Sequence, residues 1–187
     1  MTIHDPSGPC QGRRRLLGLA VWAAVAPAFG LTACGDRPGD AQATAPLEIG
    51  AGTVCALDGM LLADYPGPKA QIHHSGVAAP VFLCDTVELF HELLLPEQVR
   101  KVAAVYVQDM GKADWESPHG HWIDARTALF VHGSRRTGSM GPTIASFALE
   151  PDARKFVGEY GGTVLRFAEI TPAMVDLSGG AKTDTRM

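Results

Sequence analysis

The 187-residue chain contains no apolar run of the roughly 18 residues that a membrane-spanning helix needs, so a multi-span membrane protein is not expected. It also lacks a cationic excess. Its 16 Lys and Arg stand against 20 Asp and Glu, a net charge of −4, which offers no footprint for nucleic acid. The signatures of common enzymes are missing. No G-x-S-x-G elbow presents a serine nucleophile, and Gly138–Gly141 lacks the lysine and the strand-to-helix setting of a phosphate loop. Cysteine is scarce, four in all, and no C-x-x-C redox pair exists, because Asp58 stands where a second cysteine would follow Cys55. What is plentiful is glycine (21) and proline (13), which predict many turns, and hydrophobic residues (46%), which are enough to place the chain among globular rather than disordered proteins.

The first 33 residues read as an address. Arg13, Arg14 and Arg15 precede an almost wholly apolar stretch from Leu16 to Phe29, followed by Leu31-Thr32-Ala33-Cys34. A positive region, a short apolar region and small residues before a cut describe a secretory signal peptide, 1–33. The ending resembles a bacterial lipobox, with Cys34 as the lipidated first residue of the mature chain. Gly12–Leu17 also resembles a twin-arginine export signal. Cutting after Ala33 removes three arginines and one aspartate, so the net charge goes from −4 to −6. Residues 34–47 hold little to bury and read as a flexible linker. Residues 178–187 read as a disordered tail. The expected location is the periplasmic side of the cell envelope, with lipid on Cys34 holding the domain to a membrane.

Between these ends, 48–177, short strand signals alternate with two helical ones. Strands are predicted at Lys69–His74, Ala79–Leu83, Val102–Gln108, Ala128–Gly133, Thr143–Phe147 and Thr163–Ile170. Asp85–Leu95 has helical spacing, with Val87, Leu89, Phe90, Leu93 and Leu94 on one stripe and Asp85 with Glu88 as a capping box. A second helix is predicted from about Pro151 to Tyr160, ended by Gly161-Gly162. Strand, strand, helix, strand therefore occurs twice at a period of about 65 residues. The expected fold is α+β, built as two tandem ββα(β)-type repeats at about 48–110 and 111–177.

Two clusters could carry chemistry. Cys55-Ala56-Leu57-Asp58-Gly59-Met60 gathers a thiol, a carboxylate and a thioether in six residues, and Gly138-Ser139-Met140-Gly141 sets a methionine in a glycine-rich loop. Thiolate and thioether ligands select Cu(I) over hard cations. Met60, Met140, Cys55 and Asp58 are therefore the candidate metal ligands. Methionine also serves as core filler, and in an oxidising compartment Cys55 and Cys84 either pair or bind metal. A thiol-redox or disulfide-bearing envelope lipoprotein using Cys55 and Cys84 is thus the alternative. His119-Gly120-His121 would share a strand face, but after Pro118 it reads better as a solvated loop.

Several blocks in order carry a family resemblance: the lipobox Cys34, Cys55–Met60, Asp64–Gln71, Val105–Gly111, Trp115-Glu116, His121–Arg126, Gly138–Pro142 with Phe147, and Gly161-Gly162. Together they resemble the NosL family, the accessory lipoproteins of nitrous-oxide reductase, over about residues 52–171. The resemblance implies a Cu(I)-binding, non-enzymatic metallochaperone. Its implied task is to deliver copper for maturation of the copper–sulfide centre of nitrous-oxide reductase, in partnership with that enzyme and a maturation machinery that includes an ATP-binding-cassette transporter complex. Met60 and Met140 match the family's methionine positions and Cys55 the first cysteine of its Cys-x-x-Cys-Gly-Met form. Asp58 departs from the second.

Overall fold

The structure, a computed structural model, describes residues 45–95, 97, 100–175 and 177. The signal peptide 1–33, Cys34 with most of the linker, and the tail 178–187 lie outside the described residues.

The domain begins with a strand pair and a capped helix. β1 (Ala70–His74) and β2 (Val81–Leu83) pair antiparallel, Ala70 opposite Leu83 and Ile72 opposite Val81. α1 (Thr86–Leu94) follows directly. Asp85 caps it by accepting from Val87 N at 2.9 Å, and the Glu88 carboxylate accepts in return from Asp85 N. This reciprocal pairing satisfies amides that the first turn would otherwise leave open. β3 (Val102–Gln108) returns antiparallel to the other side of β1, and β4 (Trp122–Asp124) adds to β3, giving the order β2-β1-β3-β4. Side chains alternate across a strand. Ala70, Ile72, Val105 and Val107 therefore face one core, and the register pairs them as Ala70–Val107 and Ile72–Val105.

A second sheet follows. β5 (Leu129–His132) lies between β8 (Ala145–Phe147) and β9 (Thr163–Arg166), both antiparallel to it, with α2 (Glu150–Tyr160) joining β8 to β9. Gly161 (φ 76°) and Gly162 (φ 98°) end α2 in the left-handed region that favours glycine. In both sheets the first of the three core strands is central. β4, however, follows residue 111 in sequence yet completes the first sheet. The strand predicted over Thr163–Ile170 is shorter than expected: after Arg166 the chain turns into a 3-10 turn, Phe167–Glu169.

β5 separates two cores. Phe130 points to the first and meets Phe90 of α1 edge-on at 4.9 Å. Its neighbours Leu129 and Val131 point to the second, where Phe147, Ala153 and Phe156 bring α2 down on the sheet. Between β5 and β8 a small hairpin, β6 (Thr137–Gly138) and β7 (Gly141–Pro142), carries Ser139 and Met140 at its tip. His119 and His121 lie in the loop before β4. His121 takes φ 55°, which removes the two-residue alternation that a shared strand face requires.

Candidate metal centre

The Cys55–Met60 segment is a tight hairpin. Cys55 N donates to Met60 O at 2.8 Å, Gly59 N to Cys55 O at 3.0 Å, and Met60 N to Asp58 Oδ1 at 2.9 Å. Gly59 at φ 78° allows the reversal. The hairpin is fastened to the edge of the first sheet by Ala56 N donating to Phe82 O at 2.9 Å. That bond sets Cys55 beside Cys84, the residue between β2 and the Asp85 cap.

Four ligand atoms converge there. The sulfurs of Cys55 and Cys84 and one oxygen each of Asp58 and Glu88 all lie within 4.8 Å of one another. Cys55 Sγ is 3.2 Å from Glu88 Oε2, and Cys84 Sγ is 3.5 Å from Asp58 Oδ2. Cys55, Cys84 and Glu88 are buried, while Asp58 is exposed and closes the cluster from the solvent side. Both cysteines are free thiols. Glu88 Oε2 accepts from Cys84 N at 2.9 Å, whereas the buried Glu88 Oε1 has no hydrogen-bond partner among the described residues. An open acceptor of this kind is costly unless a cation or proton meets it.

The electrostatics separate the two thiols. The Cys84 S–H donated to it brings Cys55 down from an ordinary 9.0 to about 6, against the opposing effect of burial. Cys84 is pushed strongly upward by the same hydrogen bond, then by burial and the Glu88 charge. Burial, then the charge on Cys55, raises Glu88 from 4.5 to about 8. At neutral pH the cluster thus holds a thiolate on Cys55 with protons on Cys84 and Glu88. A soft cation entering here meets one ready ligand and a second that it must deprotonate.

The methionine hairpin is tied to the residues beside this cluster. Ser139 Oγ donates to Cys84 O at 2.6 Å, and the Met140 amide donates to the Asp85 carboxyl. Thr143 Oγ1 donates to Asp85 Oδ1 at 2.7 Å. Met60 and Met140 are both partly buried against the core that contains Cys55 and Cys84. Two hairpins, one from each half of the domain, therefore flank Cys84. Met110, by contrast, packs on the second core, and the cavity lined by Trp115, Arg136, Phe156 and Tyr160 includes none of the clustered groups.

Cys84 and Glu88 are the residues that the sequence pattern leaves unassigned as ligands. The available signal was the capping box. A glutamate at the third helical position turns its carboxylate back toward the cap, and here the residue before the cap is a cysteine.

Comparison with known proteins shows which family the chain resembles. The NosL family model matches residues 46–175. The copper-binding lipoprotein NosL of Stutzerimonas stutzeri is 41% identical over 161 residues, covering 85% of this chain and 83% of its own. The copper-binding lipoprotein NosL of Achromobacter cycloclastes is 39% identical over 167 residues, covering 87% and 84%. The crystal structure of the copper chaperone NosL from Shewanella denitrificans superposes with a TM-score of 0.66 at 43% identity, covering 70% of this chain and 98% of that one. With the family pattern met across the folded domain, the chain belongs to the NosL family.

Proposed function

We propose that this protein is a lipid-anchored carrier of Cu(I) on the periplasmic side of the envelope, and that it passes copper on for maturation of the copper–sulfide centre of nitrous-oxide reductase. The carrying observation is the convergence of two free thiols within 4.8 Å of each other and of two carboxylates, between hairpins that bear Met60 and Met140. Sulfur ligands of both kinds suit a soft monovalent ion. Copper is the cargo here, and the role is not enzymatic. The Cys55 thiolate takes the ion first. Thioethers from Met60 and Met140 hold it weakly enough for an incoming ligand of the acceptor to replace them in turn. Such exchange needs no change of oxidation state and no separate catalyst. The acceptor is reached either directly, on the reductase, or through a transporter complex of the maturation machinery.

The test is Cu(I) competition against a chromophoric chelator under anaerobic conditions. Met60→Ala combined with Met140→Ala should lower Cu(I) affinity by orders of magnitude while the circular-dichroism spectrum is kept. An unchanged affinity refutes the thioether ligands. A second reading has its own observation: the same two sulfurs are close enough to invite a thiol–disulfide role. A thiol count separates the two. Thiols that become protected when Cu(I) is added support the carrier, whereas a stable Cys55–Cys84 bridge in the purified protein supports the redox lipoprotein.

A further inference from the structure

The proposed exchange employs Cys55, Met60 and Met140 and leaves two carboxylates without a task. Asp58 and Glu88 stand in the same cluster as the thiols, and a soft monovalent ion has little use for oxygen ligands. Glu88 has no exposed surface, and its Oε1 has no hydrogen-bond partner among the described residues. A carboxylate is rarely so buried unless an ion or a full set of hydrogen bonds meets it.

The distances fit a compact metal polyhedron. A tetrahedral zinc ion with sulfur at about 2.3 Å and oxygen at about 2.0 Å sets its ligand atoms about 3.3–3.8 Å apart. Cys55 Sγ stands 3.2 Å from Glu88 Oε2, Cys84 Sγ stands 3.5 Å from Asp58 Oδ2, and all four ligand atoms lie within 4.8 Å of one another. Side-chain movement of at most about 1.5 Å closes the remaining pairs. The ligands are also aimed beforehand. Leu57 N donates to Cys55 Sγ at 3.4 Å. Met60 N holds Asp58 Oδ1 at 2.9 Å, which leaves Oδ2 to face Cys84. Cys84 N donates to Glu88 Oε2 at 2.9 Å and turns that carboxylate into the cluster. Hydrogen bonds of this kind fix the orientation of ligands before an ion arrives.

We propose that Cys55, Cys84, Asp58 and Glu88 form a binding site for a divalent ion of intermediate softness such as Zn(II). Its ligand set overlaps the sulfur set for Cu(I) but is completed by the two carboxylates in place of the two thioethers. Two sulfurs disfavour the hard ions Mg(II) and Ca(II), and two carboxylates attract a divalent ion more strongly than a monovalent one. Binding is coordination with no redox step: two sulfur–metal bonds form, and the S–H protons pass to solvent. With both sulfurs on the ion, the Cys55–Cys84 bridge that an oxidising compartment favours does not form. The site stands on its own geometry and does not require the Cu(I) reading.

The experiment titrates Zn(II) into the purified, reduced, metal-free protein against a zinc-responsive dye under anaerobic conditions. One Zn(II) should bind per chain and should protect both Cys55 and Cys84 from a thiol reagent. Co(II) in its place should show the intense visible bands of a tetrahedral ion together with sulfur-to-cobalt charge transfer. Asp58→Asn and Glu88→Gln keep an amide oxygen for the hairpin and for the helix cap, and each should lower Zn(II) affinity by at least about tenfold, since groups that merely support a ligand are worth about 10–100-fold. Met60→Ala combined with Met140→Ala should leave Zn(II) affinity unchanged. If circular dichroism shows Glu88→Gln misfolded, Asp58→Asn at the exposed corner carries the comparison. Wild-type protein that binds no Zn(II) overturns the proposal, as does Zn(II) that protects fewer than two thiols. So does a Zn(II) affinity that falls with the methionines and not with the carboxylates. Cu(I) is titrated separately into the same metal-free protein: binding of Zn(II) without Cu(I) defeats the carrier reading alone, and binding of Cu(I) without Zn(II) defeats this proposal alone.

Discussion

Asp85 is the residue whose removal tests most of this reasoning at once. Its carboxyl has no exposed surface, caps α1 through Val87 N at 2.9 Å, and accepts from Thr143 Oγ1 at 2.7 Å and from the Met140 amide. It therefore ties the helix start to the hairpin that carries Met140. Thr86 Oγ1 contributes little, because its hydroxyl is committed to Ile144 O at 2.5 Å. In Asp85→Ala the lost cap should cost about 1 kcal/mol. The Thr143 hydroxyl and the Met140 amide lose this acceptor, at about 1–3 kcal/mol each. The total, about 3–7 kcal/mol, is a large share of the 5–15 kcal/mol typical of a domain. Asp85→Asn keeps one oxygen, which can accept from both Val87 N and Thr143 Oγ1, and should lose about 1 kcal/mol. Urea unfolding followed by far-ultraviolet circular dichroism reads both variants. Cu(I) affinity should fall in Asp85→Ala, measured where the variant is still folded, and be kept in Asp85→Asn. An Asp85→Ala protein with the wild-type urea midpoint would refute the claim that this carboxyl joins the two halves of the site.

Other outcomes follow from the same contacts. Thiolate absorbance near 240 nm should show Cys55 titrating with a midpoint of about 6, where an ordinary thiol has 9.0; Cys84→Ala removes the S–H donor and should move that midpoint upward. Because Cys55 is depressed on folding, its contribution to stability is present above 9.0 and lost as pH falls through about 6. Glu88 is raised on folding, so its contribution is present below 4.5 and lost as pH rises through about 8; between 6 and 8 the two oppose, and stability should vary little with pH there. Gly67→Ala should destabilise by more than about 1 kcal/mol in the same urea assay, since φ is +82° and the new Cβ would stand 2.7 Å from the Gly138 Cα. A Gly67→Ala protein as stable as wild type would show that the Pro66-Gly67-Pro68 turn does not press on the methionine hairpin.

How far the site could be read from the chain depends on the range over which each part is determined. α1 was legible because its signals are local: Asp85 and Glu88 stand three apart and the apolar stripe follows the helical period. β1, β3 and β5 carry enough alternating or valine-rich residues to announce themselves. β4 is three residues, and β6 and β7 are two each; such pieces exist only because a partner strand accepts their hydrogen bonds, so no window of sequence displays them. The metal cluster divides in the same way. Cys55, Asp58 and Met60 share a hairpin and were visible as a motif. Glu88 is 33 residues from Cys55, and Cys84 is 26 from Asp58, and contacts such as the bond from Ala56 N to Phe82 O bring those segments together.

In a Cys-x-x-Cys hairpin the second sulfur would come from the hairpin itself. Here the third residue after Cys55 is an aspartate, and the second sulfur comes from Cys84, across the gap between hairpin and helix cap. Asp58 then sits 3.5 Å from Cys84 Sγ on the exposed side, where a carboxylate is hydrated at little cost. Splitting the sulfurs between two segments makes their separation depend on the fold rather than on one turn. It also leaves them in different electrostatic settings, one ionised near pH 6 and one pushed upward by its neighbours. A pair so divided suits stepwise capture and release of a soft ion: the first ligand is ready without a proton leaving, and the second engages only when the metal has displaced its proton.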